Sequence, residues 1–404
     1  MFLAEAVLFQ REEVNRMIKT HKIKIYPNAT MRKVLNSLFD YRRYCYNQAL
    51  ETWNAMYDES TILADKSRRP NERKVRDELV ENKQDWQYLQ SARVLQLAVR
   101  DLAKGWKNYF NPKMPNHAKP RFKSKKWSKH VFKTDRAKVI DGRLRLDKPH
   151  GSGVWYDIRL AEIPRWQGAI KLVTVIEEAD GYYACLAIEV TDTVVEKHGD
   201  RVTGVDANVA RFDYKDANGY QRINTLPQRL LKLYQHITAY QRQLARKRVT
   251  NPTNFRSNNY RATRTKLKRD YQKVSRIQED LLKKFTIKLV AEWDVIAIED
   301  LDNLHMRMNK RLAKNLHRSM FGKFKQMMVY KCAWRGVRLV LVDPFYPSTQ
   351  RCSQCGYIKT GDDKIGLNGN HLYHTGHDDY VCYQCGAVMR RDENAVENLI
   401  QYAS

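Results

Sequence analysis

The chain carries 404 residues, a formal net charge of +28 and 43% hydrophobic residues. That apolar content excludes a disordered polyelectrolyte, and the length suits roughly two to four domains. The cationic excess exceeds what solubility requires, and no apolar run approaches the ~18 residues of a spanning helix, so the expected partner is a nucleic acid and not a membrane.

Residues 1 to 20 read as a short helical extension, with Leu8, Val14 and Met17 as contact residues. The stretch from Met1 to Phe9 is apolar, but Glu5 interrupts it and no basic segment precedes it. It does not read as a signal peptide, and a cytoplasmic protein of the cytosol and nucleoid is expected. His21 to Pro27 alternates basic and apolar residues at the strand period and stops at a proline. From Met31 to about Phe110 the period becomes helical: Leu35, Leu38, Phe39, Arg42, Cys45, Tyr46 and Leu50 recur at spacings of three and four, and the pattern returns from Val94 to Trp106. Between them, Glu59 to Asp85 is charge-rich and suits a loop or a solvated helix pair.

Pro112, Pro115 and Pro120 punctuate the next segment, where Lys119, Arg121, Lys123, Lys125 and Lys126 are interleaved with Phe122 and Trp127. Phosphate contacts with base stacking fit the overall charge, and a solvated linker whose aromatics pack on a neighbour is the alternative. Val131 to Val194 is strand-like, with turns at Asp141-Gly142, Gly151-Ser152-Gly153 and Asp180-Gly181. These strands are expected to complete a small barrel begun by residues 21 to 27. A new unit opens at Gly204-Val205-Asp206, a short apolar strand bearing one acid, and passes through Phe212, Tyr214 and a turn at Asn218-Gly219.

A long basic helical region follows, from Arg229 to Val290, with a break near Asn251-Pro252-Thr253 and an inward stripe of Val274, Ile277, Leu281, Phe285 and Leu289. Val295 to Leu301 is a buried-strand run ending in carboxylates, where an uncompensated Glu299 is costly unless it meets a cation. His305 to Lys314 is basic; residues 316 to 335 are expected to form an amphipathic helix with Leu316, Met320, Phe324, Met327 and Met328 inward; Val337 to Pro344 is another buried strand.

Of seven cysteines, Cys45, Cys185 and Cys332 lie singly and read as inert core thiols. Cys352, Cys355, Cys382 and Cys385 form two Cys-x-x-Cys knuckles, a pattern in which tight turns each give two thiolates to a tetrahedral zinc. The spacer from Gly356 to Val381 is longer than the roughly 15 to 20 residues common in such sites, and its His371, His374 and His377 could replace or supplement a thiolate. Just beyond stands Asp392, whose plain reading is a helix N-terminal residue favoured by the macrodipole. Asp206, Glu299 and Asp392 fall on two strands and a closing helix, an order that resembles that of an RNase H-like fold. In such a site carboxylates hold two divalent ions, with hard oxygen ligands favouring Mg²⁺ or Mn²⁺.

The set Tyr26-Pro27, Lys119 to Lys125, Gly204-Val205-Asp206, Ile298 to Leu301, Arg311 to Lys314, Asp343 to Thr349, the cysteine knuckles and Arg391-Asp392-Glu393-Asn394-Ala395 resembles the TnpB (OrfB) family of transposon-encoded RNA-guided DNA endonucleases, ancestor-like relatives of type V CRISPR effectors. The resemblance runs from about residue 21 to 400. It implies an α/β multidomain protein in which an OB-like β-barrel wedge domain (21-30 and 129-197) is split by a helical recognition domain (31-128). A RuvC nuclease domain (198-345 and 386-404) then carries a zinc-ribbon target-nucleic-acid-binding module (346-385).

It further implies a guide RNA, target double-stranded DNA with an adjacent motif, one protein copy on each RNA, nuclease-site Mg²⁺ or Mn²⁺ on Asp206, Glu299 and Asp392, and structural Zn²⁺ on the four cysteines. Lys119, Arg121, Phe122, Lys123, Lys125, Lys126, Arg311 and Lys314 would contact nucleic acid. Ala207-Asn208 departs from the Leu-Gly usual after the first acid, a change expected to preserve activity because asparagine tolerates a left-handed backbone. A miniature type V CRISPR effector is a neighbouring reading. A nuclease-dead RNA-guided repressor would lack one of the acids, and an end-joining transposase would show strand transfer.

Overall fold

In the computed structural model the described residues are 15–112, 114, 117–126, 128–147, 156–192, 197–253, 257–300, 320–366 and 368–404. Two compact units divide the chain, Met1–Thr193 and Val194–Ser404.

In the first unit, strands β1 (Asn15–Tyr26), β2 (Val131–Thr134), β3 (Lys138–Ile140), β4 (Arg143–Leu146), β5 (Tyr156–Leu160), β6 (Ala169–Glu178) and β7 (Gly181–Asp192) form one antiparallel sheet in the order β2-β6-β7-β1-β5-β4-β3. β1 corrects the expectation of a helix over residues 1 to 20: Asn15 already pairs with Asp192, and the ladder continues to Ile25 opposite Tyr182. The alternation is real, but Lys19 and His21 occupy inward positions beside Ile23 and Ile25, so polar side chains hide the strand period. Leu8 and Val14 lie outside the described residues.

Four helices enter between β1 and β2: α1 (Ala29–Ile62), α2 (Glu72–Glu81), α3 (Asp85–Tyr88) and α4 (Ala92–Tyr109). Asn28 caps α1 by accepting from the Met31 N–H at 2.8 Å, and Ser91 caps α4. Leu35, Phe39 and Leu50 of α1 and Leu95 and Leu102 of α4 share one core with Phe132, Leu144, Val175 and Leu186 of the sheet. The helical block is therefore an insertion packed on the strands that flank it.

The second unit is built on a five-stranded sheet ordered β10-β9-β8-β11-β12, from β8 (Val202–Ala207), β9 (Arg211–Asp216), β10 (Gly219–Asn224), β11 (Val295–Glu299) and β12 (Arg338–Val342). β8 to β10 run as an antiparallel meander, whereas β8, β11 and β12 are mutually parallel. Helices α5 (Gln228–Thr250) and α6 (Asn258–Glu292) connect β10 to β11, and α7 (Phe321–Arg335) lies between β11 and β12. Helix α8 (Arg391–Ala403) closes the chain, after the hairpin of β13 (Asp379–Val381) and β14 (Val388–Arg390).

Strand alternation sorts the two faces of this sheet. Val205, Phe212, Tyr214, Ile296 and Ile298 pack on Phe285 and Leu289 of α6 and on Phe324 and Met328 of α7. Val295, Ala297 and Val342 point the other way, onto Leu399 and Ala403 of α8. The inward stripe of α6 is turned slightly from expectation, with Leu282 fully buried and Leu281 at the margin. Among the described residues no helix is long and apolar enough to cross a membrane.

Candidate acid site and cysteine cluster

Because β8 is parallel to β11 with Val205 opposite Ile298, the next residue of each strand, Asp206 and Glu299, emerges side by side on the face that α8 covers. A glycine brings α8 close: a Cβ at Gly204 would stand 2.7 Å from both the Leu399 Cβ and the Val396 carbonyl oxygen. That close approach places Asp392, in the first turn of α8, over the end of β8. Asp392 also profits there from the positive end of the helix dipole.

The structure adds an acid that no sequence motif marks. Asp213 is the direct cross-strand partner of Asp206 on β9, and one oxygen from each of Asp206, Asp213 and Asp392 lies within 4.8 Å of the others. All three are buried. Glu299 stands just outside this tight group, half-buried, with its Oε1 accepting from the Ser348 hydroxyl at 2.6 Å. Sequence carries one signal for Asp213, an acid between Phe212 and Tyr214, but it stands between Arg211 and Lys215 at the strand period, and the residue order alone does not give the face it takes.

Three arginines gather around these carboxylates. Arg211 donates to Asp392 Oδ2 from Nε at 3.1 Å and from its Nη2, which also reaches Asp378 at 2.9 Å. Arg222 donates to Asp213 Oδ1 at 2.6 Å and to Asp392 Oδ2 at 3.2 Å, and the Arg391 guanidinium stands 3.5 Å from Asp392 Oδ1. Even so, Asp392 Oδ1 and Asp213 Oδ2 are buried without a hydrogen-bond partner. Burial, and then the charges of Glu299, Asp392 and Asp213, push the Asp206 carboxyl well above the ordinary carboxylate range. Glu299 is raised by burial, opposed by the Ser348 hydroxyl, and Asp213 is raised by burial, opposed by Arg222.

Asn208 does not use the left-handed backbone expected of it; its side-chain amide donates to Asp206 Oδ2 at 2.9 Å and fixes that carboxylate. Two carboxylates about 5 Å apart repel by roughly 3 kcal/mol at an effective dielectric of ~20. A cluster of hard oxygens with orphaned lone pairs therefore fits a divalent cation.

The four knuckle cysteines also converge, all sulfurs lying within 4.8 Å of one another, with Cys352 to Cys385 at 3.7 Å and Cys355 to Cys382 at 3.5 Å. Tetrahedral zinc with bonds of about 2.3 Å has sulfur–sulfur edges of roughly 3.8 Å, which this spacing fits. Gly356 and Gly386 take φ of 79° and 73° to close the two turns. The histidines of the spacer do not join the group: His377 pairs with Asp378 and Arg391 instead.

Asn394, fully buried, accepts from the Ser353 N–H at 2.9 Å and donates to the Arg351 carbonyl, while Asn398 donates to the carbonyls of Ser348 and Arg351. Asparagines of α8 thus stitch the first knuckle to the helix that carries Asp392.

In the first unit, Lys119 lies over the Trp106 ring at 5.5 Å, Phe122 is 60% exposed, and Arg121, Lys125 and Lys126 are exposed. Lys125 nevertheless pairs with Asp40. Lys123 is tucked over the Tyr46 ring at 3.3 Å, and burial with the neighbouring Arg42 lowers its ammonium pKa to about 8. Its role is at least partly one of packing. Arg311 and Lys314 lie outside the described residues. Cys45 and Cys332 are buried thiols, both pushed up to about 12 chiefly by burial.

Three family models match parts of the chain: "Helix-turn-helix domain" over residues 17–61, "Probable transposase" over 185–310 and "Cas12f1-like, TNB domain" over 321–399. The first of these spans β1 and α1. A relative from Streptomyces pristinaespiralis named "Putative RNA-guided DNA endonuclease" is 27% identical over 95% of this chain and 88% of its own length. A similarly named Escherichia coli K12 protein is 28% identical over 65% of each. Among solved structures, a Cas12f1 chain in complex with sgRNA and target DNA shares the fold at TM-score 0.53 and 13% identity, over 95% of this chain and 98% of that one.

Proposed function

We propose that this chain is an RNA-guided DNA endonuclease of the TnpB (OrfB) kind, which its similarity to the matched family models and relatives supports, and that it cuts through the acid site of the second unit. The observation that carries this reading is the convergence of buried Asp206 and Asp392, with Glu299 in register on the adjoining strand, in a cluster whose oxygens are not all neutralised by protein. The sheet order, with a meander joined to parallel strands, supports an RNase H-like RuvC domain over residues 198-345 and 386-404. The cysteine cluster supports a zinc-bearing target-nucleic-acid-binding module over 346-385. The first unit would supply the wedge (21-30 and 129-197) and recognition (31-128) domains. The protein works as one copy on one guide RNA, which pairs with the target while the protein reads a short adjacent motif.

Asp206, Glu299 and Asp392 would hold Mg²⁺ or Mn²⁺, which would supply an activated water and neutralise charge developing on the scissile phosphodiester. The chain's own contribution is placement. Asn208 orients Asp206, Ser348 orients Glu299, and α8, tied down by Asn394 and Asn398, holds Asp392. Arg211, Arg222 and Arg391 offset the repulsion among the acids before a cation arrives and are suited to meet a phosphate oxygen afterwards.

Expressing the protein with its native flanking DNA and sequencing the RNA that copurifies tests the guided reading. One abundant species overlapping the gene's end, with a variable tail, is expected. Spacer-bearing transcripts of a repeat array would instead identify a miniature type V CRISPR effector with the same site, and absence of a defined RNA would contradict guidance.

A further inference from the structure

Asp213 is the one member of the acid group to which the proposed reaction assigns no task. It is 7% exposed, and it sits directly opposite Asp206 in the β8–β9 ladder, where like charges on one face are destabilising. The register leaves no freedom to relieve this, because Phe212 and Tyr214 are fixed in the core on the other face and force Asp213 toward α8. Arg222 satisfies Asp213 Oδ1, but Oδ2 has no hydrogen bond; Arg211 Nε, 3.4 Å from it, donates to Asp392. A purely structural ion pair would leave neither this buried oxygen nor Asp392 Oδ1 without a hydrogen bond. The two orphans belong to side chains whose carboxylates already share a space within 4.8 Å with Asp206.

We propose that Asp213 is a fourth carboxylate of the cation site and shares one divalent ion with Asp206 and Asp392, while Arg211 and Arg222 occupy the site's negative field in the ion-free protein. This rests on the reading of the acid site as a cation site. Arginine and cation then compete: an ion entering between the three aspartates takes over the compensation that the guanidinium groups provide, freeing them for a phosphate.

The test is Mn²⁺ binding to the purified full-length protein, followed by electron paramagnetic resonance of free Mn²⁺, with D213N, D206N and R222Q. Asn keeps the acceptor for Arg222 and the shape of the side chain, so melting curves should show D213N folded. The proposal expects D206N to abolish the tight site and D213N to weaken it roughly tenfold or more. R222Q, which removes a competing cation, should hold or tighten binding. Loss in D206N with wild-type affinity in D213N would overturn the role of Asp213 and leave the acid-site reading standing. Equal weakening in R222Q and D213N would also overturn it, reducing Asp213 to an anchor for the arginine. Unchanged binding in D206N would overturn the cation-site reading itself, and the proposal with it.

Discussion

Asp206 is held in the folded protein with a carboxyl pKa above its ordinary range, by burial and then by the charges of Glu299, Asp392 and Asp213. The folded state therefore binds this proton more tightly than the unfolded state does. In the metal-free protein the corresponding stability is present at low pH and is lost as pH climbs from the ordinary carboxylate range through the raised value. Glu299 and Asp213 shift in the same direction and add to the effect. Thermal melts of the metal-free protein should show the second unit losing stability over that interval, and D206N should flatten the profile while raising stability at neutral pH by about 1 to 2 kcal/mol. Mn²⁺ affinity should rise with pH over the same interval, because the ion binds the deprotonated acids. A second test is Ser348→Ala, which removes the hydroxyl on Glu299; cleavage should fall by roughly 10- to 100-fold with guide and target binding intact. Asp206 and Glu299 were legible in sequence because an acid inside a short apolar run stands out. Asp213 was not, since Arg211 and Lys215 flank it at the strand period and only the register shows that it faces Asp206.

At the scale of elements, the site depends on how near α8 comes to β8. Gly204→Ala would force the Leu399 Cβ and the Val396 carbonyl away from a 2.7 Å contact, lifting the helix that bears Asp392. The expected outcome is about 1 to 3 kcal/mol of lost stability and a cleavage rate lower by roughly two orders of magnitude, measured by melting and by single-turnover kinetics. The apolar strands β8, β11 and β12 could be read from sequence, as could helices α5 to α7, because their periods are uninterrupted. β1 was only half legible: Lys19 and His21 on the inward face break the apolar alternation, so its first turns looked helical. The cysteine knuckles announced themselves by spacing, whereas the asparagine stitches from α8 to Arg351 and Ser348 did not. Their partners are carbonyls, which no side-chain pattern reveals.

For the whole molecule, the +28 charge predicts that affinity for guide RNA falls steeply with salt, log K declining linearly with log salt at close to one unit per phosphate neutralised. A flat response by filter binding would contradict phosphate-dominated recognition. Chelating the zinc proposed for the four thiolates, or C352S with C355S, should loosen residues around the knuckles and, through Asn394 and Asn398, reduce cleavage. Hydrogen exchange would locate the loosened segment. Guided cutting by the acid site is tested by cleavage of a DNA duplex by the protein reconstituted with its RNA and Mg²⁺, with the guide segment then rewritten and with D206A in parallel. The cut should follow the rewritten guide, and D206A should bind the target without cutting it. A cut that stays in place when the guide changes, or wild-type cutting by D206A, would contradict guided cutting by the acid site.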